Sequence, residues 1–210
     1  MTRNRKFEIF TEWLWKMEQL KKELSYECGY GLSDTLFSLI LDASTEIHLK
    51  KGAVLYEASK TNTDVYILKE GILRLWFYDG IKERTHAFAL PATLMISYHS
   101  YFMGLPSYIQ VDACTDSVLL KMTKGEFDTL IKTSHEFAVW AAFVHASQLF
   151  YYEKKLAVIN GTAIDRFIAL MDSRPEIVQS VASRIVASYL GITPQYFSHI
   201  KRRFYLKQKI

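Results

Sequence analysis

An α+β fold is predicted from the sequence: N-terminal helices, an antiparallel β-roll, one long helix and a C-terminal helix-turn-helix unit. Three observations carry this reading. Over residues 45–121, short aromatic and β-branched runs alternate with turn signals at Lys51-Gly52, Glu70-Gly71, Asp79-Gly80, Pro91 and Gly104-Leu105-Pro106, the pattern of a small antiparallel barrel or roll. From residue 133 to about 159 a capping signature opens a long, strongly apolar helix. Residues 183–203 then fit the steric template of two short helices crossing at a glycine turn. With 210 residues, 50% of them apolar, the chain has material for one large domain or two small ones, which excludes disorder as its main state.

Residues 5–24 read as an amphipathic helix, because Phe7, Ile9, Phe10, Trp13, Leu14 and Met17 recur at helical spacing before a break at Cys28-Gly29-Tyr30-Gly31. A second short helix covers residues 33–41. In the roll, residues 72–78 form the clearest strand, and Asp79-Gly80 supplies the positive φ that a tight hairpin needs. Thr123-Lys124-Gly125-Glu126 is a capping box, in which each side chain satisfies an orphan amide at the start of a helix bearing Phe127, Leu130 and Ile131.

Thr133-Ser134-His135-Glu136 repeats that signature and opens the long helix. Its first half, residues 137–144, is apolar almost all round, so it is predicted to be buried on two sides. The sheet covers one side. The simplest cover for the other is the same helix of a second copy, which assigns Phe137, Trp140, Ala141 and Val144 to a dimer interface; a central helix buried within one chain would show the same composition. Asn160-Gly161 breaks the chain, and Thr162 with Asp165 starts a helix carrying Ile164, Phe167, Ile168 and Met171. The expected division is helices and roll over residues 1–132, a dimerisation helix over 133–159 and a helix-turn-helix unit over 160–210.

Two helices that cross steeply need a small residue at the contact, a glycine able to take positive φ in the turn, and apolar residues on both inner faces. Ala187 and Gly191 fill the first two needs; Val186, Leu190, Ile192, Phe197 and Ile200 fill the third. Thr193 is a good N-cap, and Pro194 sits at the first helical position, where its missing N–H is harmless. With Phe197 and Ile200 inward, the step of about 100° per residue leaves Gln195, Tyr196, Ser198, His199, Arg202 and Arg203 outside, with Thr193 at the start of that face. These types suit a DNA groove. Gln195 can pair bidentately with adenine, His199 can donate to guanine or phosphate, Tyr196 and Ser198 suit phosphate oxygens, and Arg202 and Arg203 suit phosphate clamps. A hairpin that merely packs has no need of such a face.

Charge points the same way. The net charge is only +4, but residues 160–210 carry eight Lys/Arg against three Asp/Glu, peaking in Lys201, Arg202, Arg203, Lys207 and Lys209. Other classes lack support. The most apolar run, residues 137–152, is short of the ~20 residues that span a bilayer, and the basic N-terminus lacks the apolar stretch of a signal peptide, so a cytoplasmic location without a membrane partner is expected. Cys28 and Cys114 lie far apart, and His86 and His99 have no partner at ligand spacing, so neither metal nor other cofactor is expected. No phosphate loop, nucleophile motif or carboxylate pair indicates an enzyme.

A roll with Lys50-Lys51-Gly52 before one strand and Glu70-Gly71-Ile72-Leu73-Arg74 before another, then a long helix, then Ala187-Ser188-Tyr189-Leu190-Gly191-Ile192-Thr193-Pro194, resembles the Crp/Fnr superfamily of bacterial transcription regulators over roughly residues 30–205. The resemblance is strongest in the helix-turn-helix. It implies a homodimer, a cyclic-nucleotide-binding-like sensor roll, a long dimerisation helix and a C-terminal winged helix that reads two-fold-symmetric double-stranded DNA, with RNA polymerase as a further partner. By position it places base reading on Gln195 and His199, and puts Pro194 where many members carry a polar or basic side chain.

Two departures matter. Cyclic-nucleotide binders of this superfamily hold the phosphate with a Gly-Glu pair and a following Arg-Ser pair, where arginine neutralises the anion and backbone amides cradle it. Residues 94–108 have neither pair, and no Arg or Lys lies between Arg84 and Lys121. The polar candidates there are Ser97, His99, Ser100 and Ser107, in a neutral, aromatic-rich pocket; the expectation is against cAMP and cGMP and leaves room for an unknown small-molecule effector. Core packing is the simpler reading of those aromatics. Second, the seven residues after Arg203 leave little for a hairpin wing. The competing reading is a ligand-binding or protein-interaction module with a vestigial helix-turn-helix.

Overall fold

A computed structural model describes residues 3–207; the side chains of residues 3–11, 13, 158, 159 and 207 lie outside that description. The chain runs α1 (Arg3–Cys28), α2 (Asp34–Asp42), β1 (Thr45–Leu49), β2 (Val54–Tyr56), β3 (Val65–Glu70), β4 (Leu73–Tyr78), β5 (Glu83–Ala89), β6 (Leu94–Ile96), α3 (Tyr98–Met103), β7 (Gln110–Ala113), β8 (Ser117–Met122), α4 (Lys124–Thr133), α5 (His135–Ile159), α6 (Ala163–Ser173), α7 (Pro175–Ser180), α8 (Ser183–Tyr189) and α9 (Pro194–Lys207). The expected stripe on Phe7, Ile9, Phe10 and Trp13 and the side chain of Lys207 lie outside the described side chains, and Lys209 lies outside the described residues.

The strands form two four-stranded antiparallel sheets, ordered β1-β8-β3-β6 and β2-β7-β4-β5. Tyr66, Leu68, Leu73, Met95, Val111 and Leu119 fill the space between them. The other face of the first sheet, through Val65, Ile67, Leu94, Leu120 and Met122, packs on α1, α2, α4 and α5. Strand β3 is therefore covered on both sides, which explains why its first four residues are an unbroken buried run. Between β3 and β4, Gly71 has φ +100°, and a Cβ there would lie 2.2 Å from Ser117 Oγ and 2.6 Å from the Asp116 carbonyl, so both backbone and space require glycine. The hairpin at Asp79-Gly80 forms as the sequence predicts: the Asp79 amide donates to the Lys82 carbonyl, and Asp79 Oδ1 accepts from the Ile81 and Lys82 amides.

Three features differ from expectation. Helix α3 interrupts the strands; Ser97 makes no side-chain cap there, so the segment carries no start signal. The capping box on Thr123 and Glu126 forms, but its repeat on Thr133 and Glu136 does not. Thr133 is still the last residue of α4, with its hydroxyl donating to the Thr129 carbonyl, and Ser134 Oγ instead accepts from the Phe137 amide.

The third correction concerns the dimer face. Phe137, Trp140, Ala141 and Val144 are buried in the chain's own core with Leu20, Leu24, Leu36 and Ile40. Helix α1 lies against α5 and supplies the second cover that composition alone assigned to another copy. The exposed line of α5 is Ala142, Ala146, Leu149, Glu153 and Leu156.

A separate core joins Phe167, Leu170, Ile177, Val186, Phe197 and Ile200 to Ile72, Leu90 and Cys114 of the roll. Helix α9 runs to Lys207, so no wing hairpin follows it among the described residues. No helix among the described residues is long and apolar enough to cross a membrane.

Candidate nucleic-acid interface and the adjoining cavity

The α8–α9 pair meets each demand of the helix-turn-helix template. Val186, Ala187, Leu190, Phe197 and Ile200 are all at most 5% exposed, and Phe197 packs its ring edge-on against Phe167 at 5.8 Å. Gly191 takes φ +69°, while the amides of Gly191 and Ile192 return to the carbonyls of Ser188 and Ala187, closing α8 with a left-handed cap. Thr193 Oγ1 accepts from the Tyr196 amide at 3.2 Å and starts α9. Arg166 of α6 braces the turn from behind, its Nε donating to the Leu190 carbonyl at 3.0 Å.

With the inner face fixed, Thr193, Gln195, Tyr196, Ser198, His199, Arg202 and Arg203 are all exposed. The Tyr196 and His199 rings lie nearly parallel, 6.5 Å apart. Ser198 donates its hydroxyl proton to the Pro194 carbonyl at 3.0 Å, so it offers a free oxygen rather than a free donor. Arg202 and Arg203 have no ion-pair partner among the described residues, which leaves both guanidinium groups to solvent or a polyanion. Lys201 differs from its neighbours: it donates to the Val178 carbonyl and holds α9 to α7. Arg184, exposed in the first turn of α8, extends the basic surface and was not singled out by the sequence pattern.

The unit is docked on the edge of the second sheet. Strand β5 ends that sheet, and its outward amide and carbonyl meet Ser188 of α8: the Thr85 amide donates to Ser188 Oγ at 3.0 Å, and Ser188 Oγ donates to the Glu83 carbonyl at 3.2 Å. Phe88 and Tyr189 pack ring against ring at 5.2 Å beside this clamp.

Next to it opens a cavity of about 490 Å³, lined by the roll, by the second half of α5 and by α6–α8. Of the four expected polar candidates, Ser97, His99 and Ser107 line it, whereas Ser100 is fully buried and accepts from Ser97 Oγ at 3.1 Å. Ser107 spends its proton on the Ile109 carbonyl, and His99 Nδ1 donates to the Pro106 carbonyl. The expected neutrality is corrected. The roll segment contributes no cation, but Lys154 and Lys155 of α5, Arg166 of α6 and Arg174 face the cavity. One carboxylate, Glu27, joins the described lining; Arg174 Nη2 holds it at 2.8 Å and the Tyr151 hydroxyl reaches it at 3.3 Å. His86 lies nearby with its Nε2 3.0 Å from the Tyr152 hydroxyl, and burial together with the Lys155 charge pulls its pKa down to about 4.

Residues 46–134 match the family model of the cyclic nucleotide-binding domain. No curated protein matches the sequence. Among solved structures, FixK2 from Bradyrhizobium japonicum is 18% identical with a TM-score of 0.67, covering 79% of this chain and 86% of its own. A structure from Eubacterium rectale ascribed to the Crp/Fnr family of transcriptional regulators is 18% identical, with a TM-score of 0.62 over 84% of this chain and 85% of its own. The c-di-GMP responsive global regulator CLP of Xanthomonas campestris is 11% identical, with a TM-score of 0.60 over 84% of this chain and 93% of its own. Residues 46–134 thus resemble a cyclic nucleotide-binding domain, and the chain has the fold of Crp/Fnr-type transcription regulators.

Proposed function

We propose that this chain, built on the Crp/Fnr fold, is a homodimeric, sequence-specific DNA-binding transcription regulator of the cytoplasm rather than an enzyme. The observation that carries the reading is the outward face of α9. It presents Gln195, His199, Arg202 and Arg203 on a correctly closed helix-turn-helix, with both arginines unpaired among the described residues. In this reading residues 1–132 sense, 133–159 dimerise and 160–210 read DNA. Gln195 and His199 contact bases; Thr193, Tyr196, Arg202 and Arg203 contact phosphates, while Ser198, its proton held by the Pro194 carbonyl, faces the groove as an acceptor. RNA polymerase is the expected downstream partner.

Dimerisation is assigned to the exposed line of α5. Ala142, Ala146, Leu149, Glu153 and Leu156 follow one another at alternating steps of four and three residues, the spacing of a coiled-coil seam, and the two alanines allow close approach. Two recognition helices related by that axis suit half-sites one helical turn, ~34 Å, apart. The roll is read as a sensor for something other than cAMP or cGMP, because the loop that would cradle the phosphate has no arginine and its serine hydroxyls bond within the protein.

Selection of double-stranded DNA from a random pool by the purified protein, followed by anisotropy titration of the winner, tests the reading. A two-fold-symmetric sequence bound by two chains is the expected result. Failure to enrich any sequence, across the ligands that occupy the cavity as well as without them, overturns it in favour of an interaction module.

A further inference from the structure

We propose that the cavity between the roll and the α6–α8 unit binds a ring-bearing, singly charged organic anion, with Lys155 as its counter-charge. The volume, about 490 Å³, falls in the range of small-molecule sites. Its charge is unbalanced. Lys155 Nζ donates to the His86 carbonyl and lies 5.3 Å from the centre of the Tyr189 ring, and no carboxylate meets it among the described residues. Burial without an anion disfavours the ammonium and lowers its pKa. Glu27 cannot serve, since Arg174 and Tyr151 already hold it.

The rest of the lining selects the body of the ligand. Phe88, Tyr152, Tyr189 and Leu170 offer ring faces and aliphatic surface. The roll segment that would cradle a nucleotide phosphate carries no arginine or lysine, so a compact aromatic acid fits better than a nucleotide. The proposal deepens the regulator reading and rests on it for one consequence: most of the lining belongs to the roll and α5 and the remainder chiefly to α6–α8, so an occupant bridges the reading unit and the sensor.

The test uses the full chain without DNA and two fluorescent probes, the anion anilinonaphthalene sulfonate and its uncharged relative phenylnaphthylamine. Saturable binding of the anion is expected, weakened about ten-fold or more by Lys155→Met, with the neutral probe unchanged and Lys155→Arg retaining the anion. Ala169→Trp, which fills the cavity from α6, should remove both probes while the circular dichroism spectrum stays native. Equal affinity of Lys155→Met for the anion, retained binding in Ala169→Trp, or displacement of the probe by cAMP more tightly than by aromatic carboxylates would overturn the proposal. Lys155-dependent probe binding by a protein that selects no DNA would sink the regulator reading alone.

Discussion

Substituting Arg203 by alanine separates recognition of DNA from mere adhesion to it. Its guanidinium is exposed and makes no ion pair among the described residues, so its loss removes no internal bond and should leave stability within about 0.5 kcal/mol. On DNA, one phosphate contact contributes about 0.9 to the negative slope of log affinity against log salt. A dimer loses two such contacts, flattening the slope by about 1.8. Over a four-fold rise in salt the variant's affinity should therefore fall about twelve-fold less than the native protein's. Gln195→Ala, equally exposed, should leave the slope alone and instead cut discrimination between sequences by roughly 1–3 kcal/mol per half-site. Anisotropy titrations of both variants on the selected operator and on scrambled DNA, at several salt concentrations, give both quantities. An unchanged slope in Arg203→Ala would refute the phosphate contact. A uniform loss across sequences in Gln195→Ala would refute base reading.

Gly71→Ala should destabilise the roll by about 2–5 kcal/mol, combining ~1–2 kcal/mol of left-handed backbone strain with ~1–3 kcal/mol for overlap with Ser117 and the Asp116 carbonyl. Thermal melts should show a fall of several degrees, whereas Gly80→Ala, whose Cβ would meet nothing within 4 Å, should show only the strain. Leu149→Asp and Leu156→Asp should give folded monomers in sedimentation, and Trp140→Ala should lower stability by about 3–5 kcal/mol because its ring is core rather than interface. His86, its pKa depressed to about 4, contributes stability that is fully present above its unfolded value near 6.5 and is lost as pH falls toward 4. The difference in melting temperature between native protein and His86→Gln should therefore change over that window, and a constant difference would dismiss the burial of a neutral imidazole.

The helix-turn-helix was legible almost residue by residue because its constraints are local: Ala187, Gly191, Thr193 and Pro194 each answer a steric demand made within a few positions of themselves. The roll was legible as a class for the same reason, through its turns. What escaped was set by elements distant in sequence. Composition shows that residues 137–144 need two covers but not which ones, and α1, more than a hundred positions earlier, takes the place given to a second copy. The Thr133 box fails because α4 is one residue longer than its signature implies, so Ser134 inherits the cap. The cavity was misread as neutral because its cations come from α5, α6 and Arg174, not from the loop that aligns with the phosphate-binding stretch.

That displacement of charge bears on how such a molecule could work. An edge strand exposes unpaired amides and carbonyls, and here Ser188 of α8 satisfies the Thr85 amide and the Glu83 carbonyl of β5. Separating α8 from β5 exchanges these two hydrogen bonds for bonds to water, at a net cost of about 0.5–1.5 kcal/mol each. Opening would also split the apolar core that Ile72, Leu90 and Cys114 share with Phe167 and Val186. The α6–α9 unit therefore has a definite docked arrangement against the roll. Lys155, Arg166 and Tyr189 line the cavity at that joint. If the proposed ligand binds there, it would shift the balance between docked and undocked arrangements by the difference in its affinity for the two, and in the proposed regulator the joint would then be the place where occupancy becomes DNA geometry.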